Sequence, residues 1–271
     1  MEIRFAKSSD TEELKKMWLD IFNDPKQFVE WNFKHNYRPE NVILCESGGE
    51  IASALHLIPY DISLKGEIKR AVYISAVATK DKFRKKGCAS KIICAALNHI
   101  EKNGFDLAFL VPAINGFYEK FGFSCVLLKK ELCYEAKNIC TEIPDFKKTD
   151  IKTAYEIYLK CMKDKALYLK RSLSDFSLIA DDLLNNTGGE LKILPDNSGY
   201  VMFKTGKDYT EVFEIMAKDK PSENLISDYI FSLKKPVKQT LPPVMIKSFK
   251  ENNGIYSKNI SRSNAYFNLI L

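Results

Sequence analysis

Residues 75–89 constrain the fold more than any other stretch. An apolar, β-prone run through Val77, Ala78 and Thr79 passes into a loop carrying Lys80, Lys82, Arg84, Lys85 and Lys86 with a single glycine, Gly87. The loop opens directly into Ala89, Ile92, Ile93, Ala96, Leu97 and Ile100, which repeat at helical spacing. A strand therefore feeds a basic turn that becomes a helix N-terminus. The first amides of a helix have no intrahelical acceptor, and the helix dipole adds positive potential there. Arg84, Lys85 and Lys86 add full charges, Gly87 permits close backbone approach, and Ala89 keeps the next turn thin. Together these features make a seat for a pyrophosphate.

The flanking sequence has an α/β rhythm. Residues 2–5 read as a strand. Ser9 followed by Glu12 reads as a capping box ahead of a helix through Leu14, Met17, Trp18, Ile21 and Phe22. A second helix is expected over 27–33, then strands over 41–46, 51–59, 62–64 and 68–79. After the helix that ends at Asn103-Gly104 come a buried strand at 107–111, a short helix at 115–121, and further strand at 123–135. Residues 137–150 are polar, contain Pro144 and read as a domain boundary. Beyond them the order appears a second time: helices at 151–162 and 174–185, three strands at 191–194, 199–204 and 209–217, a helix capped by Ser222, and strands at 244–249 and 265–271. The junctions also look alike, Ala78-Thr79-Lys80-Asp81-Lys82 against Ala217-Lys218-Asp219-Lys220. A diverged internal duplication is expected, with domains at 1–137 and 151–271.

Composition narrows the class. The 271 residues are 45% apolar and 12% aromatic, which argues for a packed core and against disorder, collagen or coiled coil. No run of 18 apolar residues and no signal-peptide pattern is visible. Net charge is +6, with 35 Lys and six Arg among 41 cations. A dense Arg/Lys stripe with stacking aromatics, the footprint of nucleic-acid binding, is missing. Seven cysteines without a C-x-x-C pair read as free thiols in a reducing compartment. The expectation is a cytoplasmic protein without bound metal, nucleic-acid partner or membrane anchor, and with homo-oligomerisation open.

Two motifs carry a resemblance. Arg84-x-x-Gly87-x-Ala89 and, a strand later, Asn115-x-x-Tyr118-x-x-Phe121-Gly122-Phe123 resemble the two cofactor motifs of the GNAT superfamily of acetyl-CoA-dependent N-acetyltransferases. The tandem arrangement is similar to acetyltransferases of the enhanced-intracellular-survival type, without their third, sterol-carrier-like domain. That departure puts those enzymes' aminoglycoside substrates in doubt here. The resemblance implies a GNAT fold (α/β, a central mixed sheet flanked by helices) followed by a degenerate GNAT-like domain without a cofactor loop.

It also implies roles. Acetyl-CoA is the cosubstrate and a small-molecule primary amine the acceptor, attacking directly in a ternary complex. The backbones of Val77 and Thr79 would pair with the pantetheine arm, and a strand amide would hold the oxyanion. Arg84, Lys85, Lys86, Gly87, Cys88 and Ala89 would hold the pyrophosphate. Asn115 would hydrogen-bond the arm, and Tyr118 would bind the cofactor and protonate the departing thiolate. The base stays open between His56, water and the carboxylate of Leu271. Asp20, Asp24, Glu30 and Trp31 are candidates for an acidic, aromatic mouth that takes a cationic amine. The alternatives are a non-catalytic acetyl-CoA-binding or regulatory module and an aminoacyl-transferring relative; an intact pyrophosphate loop argues against the latter.

Overall fold

A computed structural model describes residues 1–249, apart from 115, 137–138, 140–141 and 148, together with the backbone of 265–266. The chain divides into two compact units. The first holds Met1–Ile62, Glu67–Val126 and Val244–Lys258; the second holds Ser63–Gly66, Leu127–Pro243 and Asn259–Leu271.

In the first unit, β1 (Glu2–Phe5) leads through α1 (Thr11–Phe22) and α2 (Lys26–His35) to β2 (Val42–Ser47), β3 (Glu50–Leu64) and β4 (Glu67–Thr79). α3 (Cys88–Lys102) crosses to β5 (Leu107–Leu110), and β6 (Ser124–Leu127) follows. The sheet order is β1-β2-β3-β4-β5-β13-β6, where β13 is Val244–Ser248. β3 is one strand of 15 residues where two were expected. Pro59 does not interrupt it, and the two-residue turn at Lys65-Gly66 joins it to β4.

Strand alternation sends side chains to two cores. Ile43, Cys45, Leu55, Leu57, Val72 and Ile74 pack with Ile92, Ile93, Ala96 and Ile100 of α3. Val42, Leu44 and Ala54 face the other way, against Leu14 and Met17 of α1 and Val29 and Phe33 of α2. Each buried Val, Leu, Ile, Met and Phe side chain in these cores contributes about 1.5–3 kcal/mol by leaving water. The start of α1 differs from expectation. The Asp10 carboxylate accepts from the Lys7 amide at 2.7 Å and pairs with the Arg4 guanidinium at 2.7 Å. It thereby closes a 3-10 turn over Ser8–Asp10, and α1 begins at Thr11 rather than after Ser9.

The second unit contains β7 (Lys130–Tyr134), α4 (Ile151–Met162), β8 (Leu167–Lys170), α5 (Leu173–Asp181), β9 (Glu190–Ile193), β10 (Gly199–Thr205), β11 (Thr210–Ala217), α6 (Lys220–Ser232) and β12 (Val237–Leu241). Its five-stranded sheet has the order β7-β12-β11-β10-β9. α4 and α5 cover one face through Ile157, Tyr158 and Phe176, and α6 covers the other through Ile226 and Ile230. β8 and β12 escaped the sequence pattern; each is only four or five residues long. Ser172 caps α5, and Asp219, rather than Ser222, caps α6.

Both units share one crossover. β4-α3-β5 returns a parallel strand at Ala71↔Leu107, and β11-α6-β12 does so at Thr210↔Val237. The next strand in each sheet comes from far along the chain. β13 pairs antiparallel with β5, Met245 opposite Leu110, and β7 pairs antiparallel with β12, Tyr134 opposite Val237. The strand that follows β6 in sequence thus completes the later sheet, and the strand that follows β12 completes the earlier one.

Candidate functional site

The site grows from an irregularity in β4. Val72 and Ile74 point to the α3 core, but Ala78, also an even position, points to the α1/α2 core. The alternation inverts at Ala76, a non-glycine residue with φ of 49°. That is the backbone signature of a bulge, which bends a strand and re-aims its polar groups. β4 pairs with β5 only through Ala71, Val72 and Tyr73. Beyond Tyr73 the edge of β4 that faces away from β3 has no strand partner among the described residues. On the other edge the end of β4 is clamped: the Lys80 amide donates to the Ala52 carbonyl at 3.0 Å. The Ser53 hydroxyl donates to the Ala78 carbonyl at 2.6 Å and sits 2.8 Å from the Thr79 hydroxyl. Ser53 was not singled out by the sequence; a buried serine in an apolar strand was the available signal.

The basic loop comes next. Lys85 and Gly87 both have left-handed backbone conformations, φ 60° and 83°. A left-handed residue between other conformers turns successive amides into a concavity that binds anions. Gly87 is the N-cap of α3, and no side chain among the described residues caps that helix. A Cβ built at Gly87 would meet nothing within 4 Å, so the concavity faces open space. The cations divide into two groups. Lys80 pairs with Glu13 at 2.6 Å, Lys82 with Glu50 at 2.5 Å and Arg84 with Asp81 at 2.9 Å. Lys85 and Lys86 have no carboxylate partner among the described residues, and Lys86 lies over the Phe83 ring. Cys88 is buried in the α3 core, and Ala89 is half-buried in the first turn.

Tyr118 reaches the same region. It is 7% exposed, packed edge-on against Phe117 and Phe123. Burial pushes its phenol up to about 12, with a further rise from neighbouring Tyr73, the residue at which β4 and β5 part. Tyr118 therefore keeps its proton at any physiological pH. Of the helix expected over 115–121, the described residues form instead a turn at 116–118 and a 3-10 segment at Glu119–Phe121, with Gly116 and Gly122 both in left-handed conformations. Asn115 lies outside the described residues, as does Leu271.

His56 sits on the α1/α2 face of β3, opposite to Leu55 and Leu57, as strand alternation requires. Its ring stands 5.3 Å from Trp18, 6.1 Å from Phe33 and 5.9 Å from Tyr37. Burial pushes it down to about 4, so it is neutral at pH 7. Two of the three acidic candidates are already engaged: Asp24 accepts from the Trp18 indole N–H at 2.8 Å, and Glu30 pairs with Lys15 at 3.1 Å. Asp20 is exposed, and the Trp31 ring lies tilted beside His35 at 4.9 Å.

The corresponding junction of the second unit is closed. The Asp219 carboxylate accepts from the Ser222 amide at 2.9 Å and from its hydroxyl at 2.7 Å, and a proline stands in the first turn of α6.

Residues 2–126 match the family model of the acetyltransferase (GNAT) domain. They are a GNAT domain. The match spans the bulged strand, the basic loop and Tyr118, and it supports acyl transfer as the activity class. Solved structures extend the fold likeness past the GNAT domain. A GCN5-related N-acetyltransferase from Anabaena variabilis is 16% identical, with 92% of this chain and 73% of that chain covered and a TM-score of 0.75. A probable N-acyltransferase from Enterococcus faecalis is 14% identical, with 91% and 72% covered and a TM-score of 0.74. Eis1 from Mycobacterium abscessus is 11% identical, with 94% and 68% covered and a TM-score of 0.65. No curated protein matches the chain in sequence. No helix among the described residues is long and apolar enough to cross a membrane.

Proposed function

We propose that the GNAT domain transfers the acetyl group of acetyl-CoA to a primary amine by direct attack. The observation that carries this reading is the uncapped start of α3, with left-handed Lys85 and Gly87, next to the open edge of β4. An elongated ligand with a pyrophosphate at one end and an amide-bearing arm at the other fits that pair of features. The loop 84–89 binds the pyrophosphate through backbone amides and through Lys85 and Lys86. The open edge past Tyr73 offers the backbones of Val77 and Thr79 to the arm, as a sheet edge takes an added strand. An amide re-aimed by the Ala76 bulge stabilises negative charge on the thioester oxygen.

Tyr118 faces the leaving group. A phenol pushed up to about 12 is a weaker acid than an ordinary one. Full proton transfer to a thiolate with a pKa of about 8.5 is uphill, so Tyr118 acts chiefly by donating a hydrogen bond to the departing sulfur. The second unit binds no CoA in this reading, because Asp219 occupies its helix start.

A second reading is a non-catalytic acetyl-CoA-binding module. It is favoured by the low pKa of His56, which makes that side chain a poor base toward an ammonium of pKa about 10.4. Free-thiol release from acetyl-CoA across a panel of amines separates the two. Amine-dependent release is expected; acetyl-CoA binding without release for every amine would select the second reading.

A further inference from the structure

His56 presents a problem that packing alone does not solve. Its imidazole is 8% exposed and surrounded by three aromatic rings. Among the described residues neither ring nitrogen has a hydrogen-bond partner. Leaving a buried polar group unpaired costs about 1–3 kcal/mol, and a leucine would fill this position without that cost. The one fully buried, unpartnered side-chain N or O among the described residues is the Thr210 hydroxyl. The His56 nitrogens therefore keep the small solvent contact that the residue has, and they are available to a ligand.

Its position along β3 is informative. Ser53 is clamped to Ala78 and Thr79 of β4. Three residues further along β3, His56 lies on the strand adjacent to β4, whose pairing with β5 ends at Tyr73 and whose backbone turns left-handed at Ala76. The aromatic shell is held in place from outside. The Trp18 indole is tethered to Asp24, and Phe33 stacks on Tyr37 at 4.7 Å.

Most of the negative charge on this side is spent, exposed Asp20 being the one acidic candidate without an ion pair among the described residues. Glu13 is paired with Lys80 and also accepts the Ile51 amide; Glu30 is paired with Lys15; Asp24 holds Trp18. A polycationic acceptor would find no cluster of free carboxylates, whereas an apolar or flat body would find Trp18, Phe33 and Tyr37.

We infer that Trp18, Phe33, Tyr37 and His56 form the acceptor-recognition end of the site, and that the acceptor is a primary amine on an uncharged, apolar or aromatic body. A His56 nitrogen accepts a hydrogen bond from the acceptor and orients it; His56 is a positioning group and not the base. Because burial keeps the imidazole neutral at pH 7, an incoming cationic amine is not repelled. In the transfer, the amine nitrogen bonds to the acetyl carbon as the carbon–sulfur bond breaks. The ammonium first gives one proton to water so that its lone pair can attack; the second amine proton leaves after the nitrogen–carbon bond forms and passes to the departing sulfur or to water.

This inference rests on the acetyl-transfer reading, and one experiment separates their failures. Thiol release from acetyl-CoA is measured with phenylethylamine, hexylamine, spermidine and an aminoglycoside, using the full chain. The expected order places phenylethylamine and hexylamine at least tenfold above the two polycations in kcat/KM. His56→Phe keeps a ring but no acceptor. It should raise KM for phenylethylamine about tenfold, leave acetyl-CoA affinity unchanged in calorimetry, and keep a folded melting transition. His56→Gln, which retains a hydrogen-bond acceptor, should recover part of the loss and covers the case in which the Phe variant misfolds. Release that favours polycations, or an unchanged KM in His56→Phe, overturns this inference and leaves acetyl transfer standing. Release with none of the four amines overturns both.

Discussion

Lys85 and Gly87 both lie in the left-handed backbone region, with φ 60° and 83°, immediately before Cys88 opens α3. For glycine this conformation is free of steric cost. For lysine it costs about 1–2 kcal/mol, because Cβ crowds the following carbonyl. A chain that holds a lysine there, with no carboxylate partner among the described residues, keeps a positive charge over the helix start at the expense of stability.

Lys85→Gly should separate those two roles. The substitution relieves the backbone strain, so thermal unfolding should move upward or stay level, by up to about 1 kcal/mol. It removes a charge from the anion seat, so acetyl-CoA affinity should fall several-fold. A variant that is both more stable and equally tight would remove Lys85 from the site.

Tyr118→Phe keeps the ring against Phe117 and Phe123 and loses the hydroxyl, which has no partner among the described residues. Stability should therefore be unchanged or slightly higher. Turnover should fall by about 10²-fold where chemistry limits the rate, with acetyl-CoA affinity nearly constant. Below pH 10 the rate of the native enzyme should show no titration of Tyr118, since burial holds its phenol up at about 12. A silent Phe variant would assign Tyr118 to packing.

His56 should leave a signature in acid. Burial depresses its pKa from the ordinary 6.5 to about 4. The unfolded chain takes up a proton near pH 6.5 that the folded chain refuses until about pH 4. Stability is thus fully present above pH 6.5 and is lost as pH falls through this window, by at most about 3 kcal/mol. The difference in unfolding free energy between native and His56→Phe chains, followed by denaturant melts from pH 7.5 to 4.5, should shift in favour of the variant as pH falls. A difference independent of pH would mean that the imidazole is solvated.

In the second unit, Arg171 and Glu214 are both buried and pair at 2.9 Å, and the Tyr200 hydroxyl also donates to Glu214. Arg171→Met should cost about 3–5 kcal/mol, because it leaves a buried carboxylate without its cation. Arg171→Met with Glu214→Leu should recover most of that loss. Chemical denaturation of the three chains reads both effects, and additivity of the two single changes would contradict the coupling.

Much of this architecture is legible in the residues because local rules and burial agree. The helical period of Ala89, Ile92, Ile93, Ala96, Leu97 and Ile100 marks α3, and Gly87 marks its left-handed start. The alternation around His56 gives its face. What the sequence hides is set at long range. Nothing local says that Val244–Ser248 pairs with β5 or that Lys130–Tyr134 pairs with β12. The bulge at Ala76 is equally silent, since alanine has no special preference for that backbone; only the change of core between Ile74 and Ala78 reveals it. Asp219 displaced the expected Ser222 cap because its carboxylate accepts from the Ser222 amide and hydroxyl, whereas Asp10 caps no α1 amide and shifts the helix start by closing the preceding turn onto the Lys7 amide.

The central claim is that the loop ending at Gly87 seats acetyl-CoA. Calorimetric titration of acetyl-CoA into the full chain and into Gly87→Glu tests it most directly, because the substitution places a negative charge in a concavity that otherwise faces open space. One site per chain is expected, with affinity in the folded variant lower by at least tenfold, about 1.4 kcal/mol. No binding to the native chain, two sites per chain, or equal affinity in the variant would contradict the account.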